Sequence, residues 1–127
     1  MTAINGAHFL IYSPDPDADR AFLRDVLGLR SVEAGGGWPV FALPPAEIAV
    51  HPAADDDLVQ KHADHGMIGV VLYLMCGDVH AVVATLGARG VKCKEVGTAP
   101  WGLHTVIQLP SGGHIGLYQP THPTAIQ

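Results

Sequence analysis

"HFLIYSPDPDADRAFLRDVLGL", residues 8–29, changes its periodicity at Pro14. The apolar segment from Ala7 to Tyr12 reads as a strand. Asp15 then reads as a helix N-cap, with Pro16 in the first turn, where a missing N–H costs nothing. Ala18, Phe22 and Val26 recur at fourfold spacing with Leu23 and Leu27 beside them, and Gly28 sits where a helix commonly closes. "LRSVEA", a glycine run at 35–37, "WPVFALP" and "AEIAVHP" follow, predicting three short strands separated by turn formers. The unit is βαβββ.

The pattern then begins again. An acidic, alanine-rich connector over about 53–66 breaks the periodicity and is expected to be partly helical. Beyond it, "IGVVLYLMC" predicts an apolar strand, Asp78 caps a helix carrying Val79, Val82, Val83 and Leu86, and Gly90 closes it. "VKCKEV", "LHTVIQLP" and "HIGLYQP" supply three more strands. Set against each other, the halves align Asp15 with Asp78, His8 with Val71, Glu47 with His114 and Ala49 with Gly116. The expectation is one domain over 1–127, with module one at about 5–52 and module two at about 67–121.

Composition narrows the function. The chain has 127 residues, a formal net charge of −5 and no cluster of Lys and Arg, which argues against a nucleic-acid partner. No apolar run approaches the length of a membrane span, and the N-terminus lacks a basic region and cleavage site, so a cytoplasmic location is expected. Cys76 and Cys93 have no zinc-type spacing and read as reduced thiols.

The final strand poses a packing question. Alternation puts His114, Gly116 and Tyr118 on one face of "GGHIGLYQP", yet an interior glycine weakens a strand unless something needs the space. Either Gly116 leaves room for a ligand, or it marks a bulge or a close-packing point.

The strand and helix of residues 8–29 and the closing hairpin "PWGLHTVIQLPSGGHIGLYQP" resemble the vicinal oxygen chelate superfamily, which includes glyoxalase I, extradiol dioxygenases and bleomycin-resistance proteins. The resemblance covers nearly the whole chain. It implies an α+β fold in which two tandem βαβββ modules form a curved mixed sheet around a cleft. In metal-using members, four ligands come from the first and last strands of each module. Those places here are His8, Ala49, Val71 and Gly116, and three of the four have no donor atom.

Two functions remain open. The first is a metal-free protein that sequesters or carries an aromatic or amphipathic small molecule; it needs no cofactor. The second is a lyase, isomerase or dioxygenase using a divalent metal at a displaced site, His8, Glu47 and His114. On the orientation implied by the resemblance, Leu10, Tyr12, Val71, Tyr73, Met75 and Tyr118 share the inward face with His8. Trp38 and Trp101, in corresponding loop-to-strand regions, either stack on a planar ligand or seal the sheet ends. His104 lies on the strand expected to pair with the last, and its face is not fixed by sequence. The resemblance also implies a homodimer.

Overall fold

The computed structural model describes residues 8–52 and 59–126. Helix α1 spans Pro16–Asp25 and begins as its sequence dictates: the Asp15 carboxylate accepts the Ala18 N–H at 3.3 Å, and Asp17 and Asp19 lie in the positively polarised first turn. Strands β1 (Ser31–Glu33) and β2 (Pro39–Phe41) follow as an antiparallel pair. Gly35, Gly36 and Gly37 all take positive φ in the turn between them, a conformation that side chains with a Cβ rarely adopt.

A second antiparallel pair, β3 (Val59–His62) and β4 (His65–Ile68), lies where the connector was expected to be partly helical. Ala63 and Asp64, both with positive φ, make the tight turn that matches the twist of the flanking strands. Residues 53–58 of the expected connector lie outside the described residues.

The second half forms the whole expected unit: β5 (Tyr73–Met75), α2 (Val79–Ala88), β6 (Gly97–Ala99), β7 (Gly102–Gln108) and β8 (His114–Pro120). Asp78 caps α2 by accepting the Ala81 N–H at 3.0 Å. The strands make one sheet in the order β5-β8-β7-β6, with β5 parallel to β8 and the other pairs antiparallel. "IGVVLYLMC" is divided between the end of β4 and β5, and "VKCKEV" touches the sheet through the Cys93–Ile107 bridge before β6 begins at Gly97. Both cysteines are free.

One cluster of buried side chains draws on both helices and this sheet: Phe22 from α1, Val79 and Leu86 from α2, Ile107 and Leu109 at the end of β7, and Ile115 and Leu117 from β8. The buried Asp19 reinforces the attachment of α1, its carboxylate accepting the Ser111 N–H at 3.1 Å and the Ser111 hydroxyl at 2.7 Å in the β7–β8 turn. The first half departs from expectation for that reason. His8–Tyr12 and the stretch from Ala46 to His51 are not strands, and among the described residues β1 and β2 pair only with each other. A strand is held by cross-strand partners and a covered face, and the apolar side of α1 that would cover such a sheet is committed to the other one. Among the described residues, no helix is long and apolar enough to cross a membrane.

The β5–β8 register answers the question raised by Gly116. It pairs Tyr73 with Gly116, and a Cβ added to the glycine would overlap Cδ1, Cε1 and Cγ of the Tyr73 ring. The space left by the missing side chain is filled from within the chain, so close packing, rather than an opening for ligand, accounts for the glycine.

Asp19→Ala is expected to lower the unfolding free energy by about 1–3 kcal/mol, the cost of stranding partners of a charged group. Ser111→Ala, which keeps the backbone bond, should cost less; urea denaturation checks both. Gly116→Ala should cost about 1–3 kcal/mol through overpacking, and most of that penalty should vanish in a Tyr73→Ala background, a coupling that the same denaturation series reads as a double-mutant cycle.

Candidate functional site: an aromatic floor on the four-stranded sheet

Residues paired across a sheet share a face, so the register defines the surface opposite the helices. Tyr73 and Met75 stand beside Gly116 and Tyr118, which in turn stand beside Val106 and His104, with Gly97 next in line. Glycines shape this surface. Tyr73 lies over Gly116; the His104 ring lies over Gly97, where an added Cβ would come within 2.9 Å of Cε1; and Tyr118 Cδ2 would be 3.0 Å from a Cβ on Gly102. Without Cβ atoms beneath them, the rings lie down across the sheet instead of standing away from it.

Trp101, in the turn between β6 and β7, joins the array. Its ring stacks on His104 at 4.8 Å with 28° between planes, and meets Tyr118 edge-on at 5.5 Å and Tyr73 edge-on at 5.9 Å. Tyr73 and Tyr118 are themselves 5.5 Å apart and nearly perpendicular. Each such pair contributes about 0.5–1.5 kcal/mol beyond the area it buries. The floor is nevertheless open: Tyr73 retains 38% and Trp101 37% of its surface in solvent.

One edge of the floor is polar. The Tyr118 hydroxyl is 3.0 Å from His122 Nε2, and His122 Nδ1 is 2.7 Å from the Pro123 carbonyl oxygen. A carbonyl only accepts, so Nδ1 carries the hydrogen, and in the neutral ring Nε2 accepts from the phenol. Glu47 reaches this edge, its Oε1 accepting the Ala125 N–H at 2.7 Å and its Oε2 lying 4.0 Å from His122 Nε2. Burial, and secondarily the Glu47 charge, push the Tyr118 phenol above its ordinary range, so it serves as a hydrogen-bond donor at neutral pH. His122 is the participant that the sequence reading passed over. Its signal was faint: Pro120 and Pro123 flank it, marking where β8 ends and the chain turns.

Of the residues singled out from sequence, Tyr73, Met75, His104, Gly116 and Tyr118 gather on this face, with Trp101 at its rim and Glu47 reached through His122. Others lie elsewhere. His8 and Leu10 are exposed, and Tyr12 bonds through its hydroxyl to His62 Nδ1 at the β3–β4 hairpin. Trp38, 64% exposed, sits beneath the Arg20 guanidinium at 4.8 Å, away from Trp101's partners. Ala49 and Val71 are exposed in segments without regular structure.

His114 is four residues before Tyr118 on β8, about 13 Å along the strand. Glu47 is at the Tyr118 end, so these two carboxylate and imidazole groups do not meet. Among the described residues, no three His, Cys, Asp or Glu side chains gather as a metal site. The four places implied by resemblance fare no better, because Ala49, Val71 and Gly116 carry no donor and Tyr73 covers the last of them. Among the described residues, the donors named for either arrangement do not converge on one point.

Comparison with known proteins identifies the lineage of this scaffold. TnmS3, an antibiotic binding protein from Streptomyces sp. CB03234, has a solved structure that superposes with a TM-score of 0.62 at 24% identity, covering 95% of this chain and 100% of that one. A lactoylglutathione lyase from Agrobacterium tumefaciens gives 0.61 at 18% identity, covering 93% and 96%. A superfamily member from Sphaerobacter thermophilus DSM 20745 gives 0.59 at 22% identity, covering 93% and 99%. No curated protein matches the sequence. Residues 6–116 match the family profile described as Glyoxalase/Bleomycin resistance protein/Dioxygenase superfamily, and the chain belongs to that superfamily.

Proposed function

We propose that this protein binds an aromatic or amphipathic small molecule on the floor formed by Tyr73, Trp101, His104 and Tyr118, and that it sequesters or carries the molecule without a resident metal. The observation that carries this reading is the set of rings laid flat over glycines and left open to solvent. Such a surface offers a planar ligand stacking area at little entropic cost, because the rings already brace one another. Tyr118 and His122 supply the convergent polar edge that orients a ligand in a small-molecule site. The shared fold of TnmS3, described as an antibiotic binding protein, is consistent with binding as the task. On this reading the chain works as a single cytoplasmic domain. It pairs with a second copy, which would cover the exposed apolar runs around Leu10, Ile48, Val50 and Val71.

Trp38→Phe leaves Trp101 as the sole tryptophan and makes the floor directly observable. Titration with the neutral aromatic N-phenyl-1-naphthylamine should quench Trp101 emission saturably, at one probe per chain. Trp101→Ala, followed by probe fluorescence, should weaken binding roughly threefold to tenfold, the share of a single stacking contact. Dialysis against a chelator should leave affinity unchanged. Quenching that fails to saturate would remove the basis for the reading, and loss of binding on chelation would overturn its metal-free part.

A further inference from the structure

The face that carries the aromatic floor also carries a basic recess. His114 pairs with Gln108 on the same side of the sheet as the Gly116–Val106 and Tyr118–His104 pairs. Beside them, the Lys94 N–H donates to the Val106 carbonyl and the Gln108 N–H to the Lys92 carbonyl, so the stretch before β6 runs along β7 at this end. Cys93, opposite Ile107, packs toward the core, which turns its neighbours Lys92 and Lys94 to the floor side. Lys92, Cys93, Lys94, Val106, Gln108 and His114 line a recess of about 220 Å³.

The charges there are unusual for this chain. It holds only 7 Lys and Arg residues against 12 Asp and Glu. Arg20 is paired with Asp17, Arg24 with Asp25, and Arg89 donates to the Asp25 carbonyl. Lys92 and Lys94, like Arg30 and Lys61, have no carboxylate partner among the described residues, but these two line one recess together. Two cations, an imidazole and a primary amide thus share one recess with no anion bonded to them. The opposite end of the floor has the reverse polarity, with Glu47 beside His122 and Tyr118.

We infer that the ligand is an aromatic anion, whose oxyacid group, a carboxylate, sulfonate or phosphate, sits among Lys92, Lys94, Gln108 and His114 while its ring system lies on Tyr73, the part of the floor nearest the recess. This rests on the aromatic floor being the ligand site and adds the ligand's charge and direction. The spacing suits such a molecule. The Tyr73 ring lies over Gly116, two residues from His114 and therefore about 6.5 Å along the strand. An anion one ring-width from an aromatic system spans that interval. Lysines at the rim contribute mobile donors and long-range attraction, and Gln108 a neutral donor, so the recess accepts oxyanions without demanding one geometry.

The test compares two probes that differ by one acid group. N-phenyl-1-naphthylamine is neutral, and 8-anilino-1-naphthalenesulfonate is the same skeleton bearing a sulfonate. Both are titrated into the Trp38→Phe protein with Trp101 quenching as the readout, and the part of the quenching that Tyr73→Ala removes is counted as binding at the floor. The sulfonate is expected to bind about tenfold more tightly than the neutral probe. That advantage should disappear in the exposed-surface double variant Lys92→Gln/Lys94→Gln, and shrink when salt is raised from about 0.05 to about 0.5 M, where the screening length drops below 5 Å. The neutral probe should be indifferent to both changes. Equal affinities for the two probes, or an advantage that survives in the double variant, would overturn the inference while leaving the aromatic site intact. Failure of both probes to quench Trp101 would remove the aromatic site itself, and this inference with it.

Discussion

The contact between Tyr73 and Gly116 organises the face of the sheet opposite the helices. Parallel pairing of β5 with β8 sets the two residues side by side, and only a residue without a Cβ lets the phenol ring lie across its neighbour. With Tyr73 down, Tyr118 meets it edge-on and Trp101 packs against both. His104 over Gly97 repeats the device toward the opposite edge of the same face. Mid-strand glycines ordinarily weaken a sheet by entropy and lost packing. Here the covering rings restore the packing and make a broad, flat surface in place of alternating ridges.

The same contact bears on the metal. Position 116 is where the superfamily resemblance implies a ligand on the final strand, and no donor side chain can occupy it while Tyr73 lies there. A ring over this glycine and a carboxylate at this position are mutually exclusive uses of one volume. The missing donor and the aromatic floor are therefore two aspects of one arrangement, and reinstating a glutamate would have to displace Tyr73 as well. Glu47 and His114 do not substitute for it, since one faces the C-terminal turn and the other the basic recess.

What the sequence made legible was local. Both helices start at the aspartates expected to cap them, because a cap needs only its own first turn, and β8 has the limits read from "HIGLYQP". Residues 8–12 form an apolar run like that of a strand yet are not one, since such a run does not say whether a pairing partner is at hand. The β3–β4 hairpin escaped notice because its turn is Ala63-Asp64, without the glycine that normally advertises positive φ. At the site, the orientation implied by the resemblance placed Tyr73, Met75 and Tyr118 together. Trp38 and Trp101 look equivalent in sequence but part company, because Arg20 on α1 covers the first while the second joins the floor. His122 acts on Tyr118 across a chain turn that no periodicity describes.

The docking of α1 explains why the two halves, so alike in sequence, differ in structure. Phe22 and the Asp19–Ser111 bonds attach α1 to the sheet that α2 also covers, giving that sheet two helices on one face. A sheet with helices packed on one face can leave its other face open. That is the physical condition for a binding surface: rings held rigid from beneath, with a negative edge at Glu47 and a positive recess at Lys92 and Lys94. Residues 8–12 and 46–51, left without helix cover, keep apolar side chains in solvent, Val50 at 93% exposure among them.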